Sequence, residues 1–146
     1  MEPSNRCAEF IKGFETCKLK AYMPTPQDRP TIGWGATGAD IKMGMTWTQL
    51  QADERFAHDL AQFGLGVTNA LGGAGTSQDQ YDAMVSLAYN IGVANFQSST
   101  LCRMHVAGDH AGAAAQFARW NKQAGKVLNG LTRRRAGEAH MYQGLR

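Results

Sequence analysis

Pro24, Pro26 and Pro30 fall within seven residues and forbid a helix there. Proline lacks the amide hydrogen and biases the residue before it towards extended geometry. On either side, Lys20-Ala21-Tyr22 and Thr31-Ile32-Gly33-Trp34 read as short extended runs. Upstream the periodicity changes: Ser4 reads as an N-cap, and Cys7, Phe10, Ile11 and Phe14 recur at the spacing of one helix face. Glu9 lies on another face and reads as solvated. Glu15 sits where helix signals stop and strand signals start. The stretch from Glu15 to Gly38 is therefore a β-turn region mounted on the end of a helix. Such a junction holds a carboxyl group rigidly at the edge of a cleft, whereas an arbitrary glutamate is by default a surface charge.

Gly33 to Gly38 formally spells GxGxxG, with Asp53 twenty residues beyond its first glycine. A dinucleotide-binding turn must lie between a buried strand and a helix. Only Thr31-Ile32 precede it here, and Ala39 to Gly44 carries no helix pattern. These glycines read as hairpin and bulge residues of a small sheet.

The rest is helical. Thr46 and Gln49 form a capping-box pattern opening a long segment to about Ala70, with Leu50, Phe56, Leu60 and Phe63 along it. Ser77 and Gln80 cap the clearest buried helix, where Tyr81, Met84, Val85, Ala88 and Ile91 keep the 3.6 period and Gly92 ends it. Ser98 or Ser99 opens a short helix to Val106, and Asp109 caps an alanine-rich segment to Trp120. Gly125 to Gly130 reads as a turn, and a last helix runs from about Leu131 to Gln143.

Several chemistries are excluded. His58, His105, His110 and His140 lack HExxH spacing and cysteine partners, so no metal site is expected. Cys7, Cys17 and Cys102 are odd in number and without CxxC spacing, which favours reduced thiols. No run approaches the roughly 18 apolar residues of a membrane span. The start, MEPSNRCAEF, lacks the basic and apolar regions of a signal peptide. A formal charge of +3 suits an anionic partner without choosing between nucleic acid, membrane and bacterial wall. Of Arg133, Arg134 and Arg135, at least one is expected to face inward, since consecutive helix residues point about 100° apart.

Taken together, the chain resembles the phage-type lysozymes of glycoside hydrolase family 24. The likeness is carried, over nearly the whole length, by Phe14-Glu15, Lys20-Ala21-Tyr22, Thr31 to Gly35 (TIGWG) and Asn90 to Phe96 (NIGVANF). Ser99 to Leu101, Gly108-Asp109, Phe117 to Lys122 (FARWNK) and Gly130 to Glu138 (GLTRRRAGE) complete it. The resemblance implies an α+β, mainly α, lysozyme-like fold in a single domain. A small β-lobe, about 16–45, would be joined by a connecting helix, about 47–70, to a helical lobe of residues 1–15 and 71–146.

It also implies an activity: hydrolysis of the β-1,4 bond between N-acetylmuramic acid and N-acetylglucosamine in peptidoglycan, with inversion and without cofactor or metal. Glu15 falls on the family's catalytic acid and Thr31 on the threonine that holds the attacking water. Tyr22, Trp34, Asn90 and Arg133 would serve substrate binding, with Arg133 the arginine expected to hold Glu15. The expected setting is host lysis by a monomer that does not insert into membranes or bind nucleic acid. It would stay in the host cytoplasm until membrane permeabilisation opens the periplasm and wall to it.

The chain departs from the family in two places. The family spaces a glutamate, eight residues, an aspartate, five residues and a threonine; here Pro24 and Thr25 occupy the aspartate's possible positions. Asp28, the only acid in the loop, is expected to act as a displaced second carboxylate, the alternative being a turn residue. Ala36 stands where the family has histidine. Competing readings are a catalytically inactive wall-binding or phage structural module, a cationic membrane-disrupting protein and a transglycosylase.

Overall fold

The computed structural model describes residues 1–145. Helix α1 (Asn5–Phe14) starts where the Ser4 hydroxyl accepts from the Cys7 amide, and it buries Cys7 and Ile11. The chain then enters β1 (Lys18–Tyr22), which pairs antiparallel with β2 (Thr31–Gly33). On its other side β1 is bridged at Lys20 by Thr46. Ile32 and Ala36 exchange both backbone hydrogen bonds, at 3.0 and 2.8 Å, which closes the glycine-rich stretch into a tight hairpin. Ile32, Ala36 and Ile41 form the small core of this lobe, under Ala21, Met45 and Trp47.

Helix α2 (Gln49–Leu71) begins later than the sequence pattern indicates. Its capping box is Thr48 with Gln51, not Thr46 with Gln49. The cause is tertiary: the Thr46 bridge and the Trp47 amide, which donates to the Leu19 carbonyl at 2.8 Å, keep both residues in the sheet.

Helix α3 (Gln78–Ile91) carries the expected Ser77–Gln80 capping box and stops at Gly92, whose φ is +91°. Every residue from Tyr81 to Ala88 is buried, so α3 is the axis of the helical lobe. Around it pack α1, α2 and α7 (Asn129–Tyr142), together with α4 (Val93–Gln97). Helices α5 (Thr100–Val106) and α6 (His110–Gln116) complete the lobe. Phe96, Leu101, Phe117, Met141 and Tyr142 fill the core between them. Gly125 to Gly130 was expected as a turn; instead residues 122–127 form a small hairpin of β3 (Lys122–Gln123) and β4 (Lys126–Val127) with exposed side chains, and α7 already starts at Asn129.

Candidate active site

Glu15 ends α1. Its amide donates to the Ile11 carbonyl while its own backbone is extended, so the side chain is fixed at the point where helix becomes strand. The carboxylate is 23% exposed and its Oε1 accepts from Arg134 Nη1 at 3.0 Å. Over Oε2 lies Gly35, with φ +95°; a Cβ there would stand 3.2 Å from that oxygen. Any L side chain would strain the backbone and crowd the acid, so the glycine leaves one carboxyl oxygen open.

The arginine that holds Glu15 is Arg134, and Arg133 points to solvent. The inward face of α7 carries Arg134, Arg135, Glu138, Met141 and Tyr142. Arg134 is nearly fully buried and also donates to the Ser86 carbonyl at 3.2 Å and to Glu138 Oε2 at 3.4 Å. Arg135 is also inward, as one of the three arginines was expected to be, whereas the sequence reading gave no role to Glu138 or Ser86. The spacing of Arg134, Glu138 and Met141 at i, i+4 and i+7 was the available signal.

Opposite Glu15 stands the β-hairpin. Tyr22 and Thr31 are cross-strand partners. The Tyr22 phenol is pushed above its ordinary value by burial first, then by the charges of Glu15 and Asp28, which places it in electrostatic reach of both. Thr31 is buried, and its hydroxyl donates to the Arg29 carbonyl at 3.0 Å. Asp28 is exposed in the turn: its amide donates to the Thr25 carbonyl and its Oδ1 accepts from the Arg29 amide, both at 3.1 Å.

Trp34, expected at the cleft, packs against the helical core and lines none of the described cavities. Its indole donates to Asp53 at 2.9 Å, its ring meets the edge of Phe56 and the Lys12 ammonium, and its carbonyl accepts from Tyr89 at 2.6 Å. Its N–H and much of its ring are thus committed to joining the hairpin to α2 and α3. Burial, then the charge of Glu15, pushes the Tyr89 phenol up. Asn90 is exposed at the end of α3, with its Oδ1 held by Arg135 Nη1 at 2.9 Å, so the amide NH2 is left to face outward.

Gly35, Thr37, Asp59, Gln62, Phe63, Tyr89 and Val93 line a cavity of about 300 Å³ between the lobes. None of Glu15, Tyr22, Asp28, Thr31, Trp34, Asn90 and Arg133 lines this cavity, nor a larger one of about 650 Å³ between the N-terminal segment and α2. Among the described residues no group of His, Cys, Asp or Glu is placed to hold a metal ion, and the three cysteines are free.

A glutamate at the hinge between a helix and a small sheet, paired with an arginine of the last helix, is the arrangement of the lysozyme class. The phage lysozyme family model matches residues 12–138. The endolysin of Bacillus phage PZA is 41% identical over 143 residues, which is 97% of this chain and 55% of that protein. The chain spans about half the length of the two Bacillus phage endolysins it matches. The endolysin from Escherichia coli O157:H7 phage FAHEc1 is a similar solved structure, with a TM-score of 0.84 at 38% identity, covering 97% of this chain and 93% of that one. The muramidase domain of SpmX from Asticaccaulis excentricus superposes with a TM-score of 0.86 at 32% identity, covering 97% of each chain. The chain belongs to the phage lysozyme family.

Proposed function

We propose that this protein is an N-acetylmuramidase that cleaves the β-1,4 bond between N-acetylmuramic acid and N-acetylglucosamine in peptidoglycan, serving host lysis from within. The observation that carries the reading is Glu15: rigid at a helix terminus, held on one oxygen by Arg134 and left open on the other beneath Gly35. Protonated, it donates to the glycosidic oxygen as the bond to the sugar breaks. The names of its relatives, endolysins and a muramidase domain, support the same reaction and substrate.

Inversion requires a water on the opposite face of the sugar. The Thr31 hydroxyl spends its proton on the Arg29 carbonyl, so its lone pairs are free to accept from that water. Asp28, near Tyr22, supplies negative charge to the oxocarbenium-like transition state from a wet loop. Asn90 offers amide hydrogens to the glycan, and the cavity beside Gly35 receives part of it. The enzyme acts as a monomer without cofactor, and it reaches the wall once the host membrane is permeabilised. No helix among the described residues is long and apolar enough to cross a membrane.

The test is turbidity loss of permeabilised bacteria, followed by assay of the products. Reducing ends with the α anomer formed first are expected. An anhydro-sugar end would make the protein a transglycosylase, a β anomer would make it a retaining enzyme, and absence of lysis would sink the reading.

A further inference from the structure

Four charged side chains run inward from the cleft as one connected chain. Arg134 donates through Nη1 to Glu15 at 3.0 Å and through Nε to Glu138 Oε2 at 3.4 Å. Arg135 donates through Nη2 to the same Glu138 oxygen at 3.1 Å. Its Nε lies 2.7 Å from Glu138 Oε1, an ion pair by distance although the two atoms are out of line for a hydrogen bond. The far side of Arg135 turns outward, and Nη1 reaches Asn90 Oδ1 at 2.9 Å and the Trp120 carbonyl at 3.3 Å. Glu138 is completely buried, and the Ser86 hydroxyl donates to it at 2.5 Å. An acid and an amide at separate points of the cleft therefore hang from a single interior carboxylate.

A buried carboxylate is costly unless fully paired, and apolar residues of similar volume stabilise a core as well as a buried ion pair does. Packing alone thus gives no reason for this cluster. The second shared feature is charge. An unopposed guanidinium favours the ionised form of a neighbouring carboxyl group, whereas the proposed acid step needs the proton. A second carboxylate on the same guanidinium offsets that bias. We infer that Glu138, braced by Ser86, is a positioning residue for both Glu15 and Asn90: through Arg134 it tempers the positive charge that reaches the acid, and through Arg135 it orients the substrate-binding amide.

Among the described residues, the phenols of Tyr22 on β1 and Tyr89 on α3 also feel the charge of Glu15. Glu138 faces the two arginines of its own helix and Cys7 of α1. Cys7 is buried and its thiol is pushed up, chiefly by burial, so it stays neutral through the working pH range. It cannot take the place of the missing charge.

The inference rests on the muramidase reading, and its test separates the two. Wild type, Glu138→Gln and Ser86→Ala are compared on a soluble peptidoglycan glycan fragment, with kcat/KM followed against pH and with KM measured. Glu138→Gln removes the offsetting charge, so the alkaline limb of the profile moves down by about one pH unit. KM also rises several-fold as Arg135 loses its anchor. Ser86→Ala removes a hydrogen bond that favours the ionised form of Glu138, so its limb moves the same way, towards lower pH, and by less. If Glu138→Gln does not fold, Ser86→Ala decides alone. Folded variants whose limb stays at the wild-type position overturn the inference, because a structural role lowers activity at every pH alike. An inactive wild type would refute the muramidase reading instead.

Discussion

At the scale of single residues, the junction that marked Glu15 in the sequence is physical. The helix stops at Phe14, the backbone of Glu15 is already extended, and the side chain is left at the junction between helix and sheet. Glu15→Gln preserves shape and removes the proton, so lysis should fall by roughly 10²–10⁴-fold with the circular dichroism spectrum unchanged. More than a tenth of wild-type activity would clear Glu15 of the acid's role. Asp28→Asn should lower lysis measurably but less, because an exposed carboxylate acts through a higher effective dielectric than a buried one. An unaltered rate would make Asp28 a turn residue, consistent with its bond to the Arg29 amide. What the sequence hid was the choice among Arg133, Arg134 and Arg135. One step along a helix turns a side chain by about 100°, and only the position of α3 decides which arginine points inward.

At the scale of elements, the legible ones were those with their own start and stop signals. Ser4, Ser77 with Gln80, and Asp109 all cap helices as their positions indicate, since a side-chain acceptor for the first free amides is a local need. Removing one such cap tests this. Ser77→Ala should cost about 1 kcal/mol and lower Tm by about 2–4 °C in thermal denaturation. No shift in Tm would mean that packing alone fixes the start of α3. Two T-x-x-Q patterns compete at the head of α2, and local chemistry cannot rank Thr46 against Thr48. The sheet ranks them by bonding Thr46 and Trp47 into β1's edge. The strands β3 and β4 are two residues each, too short for any period to register.

At the scale of the whole molecule, the two lobes differ in what holds them. The β-lobe rests on Ile32, Ala36 and Ile41, whereas the helical lobe has a continuous core centred on α3 and a polar clamp as well. In that clamp His105 Nδ1 lies 2.6 Å from the Tyr142 hydroxyl and Nε2 lies 2.8 Å from Thr76 Oγ1. It joins α5, α7 and the turn before α3, and the ring of His110 from α6 stacks on it at 5.0 Å. Burial, and then the charge of His110, hold the His105 imidazole below its ordinary value. The folded lobe therefore keeps His105 neutral where the unfolded chain, titrating near 6.5, takes up a proton. Stability from this source is complete above about pH 6.5 and is lost as pH falls through the depressed folded value. Chemical denaturation at pH 7 and pH 5.5 checks this against His105→Gln, which retains bulk and cannot titrate. The wild type should lose more stability than the variant over that interval, the carboxylates common to both proteins cancelling in the comparison. Equal losses would mean that His105 binds its proton alike in the folded and unfolded states, and the clamp would then add no pH dependence to the helical lobe.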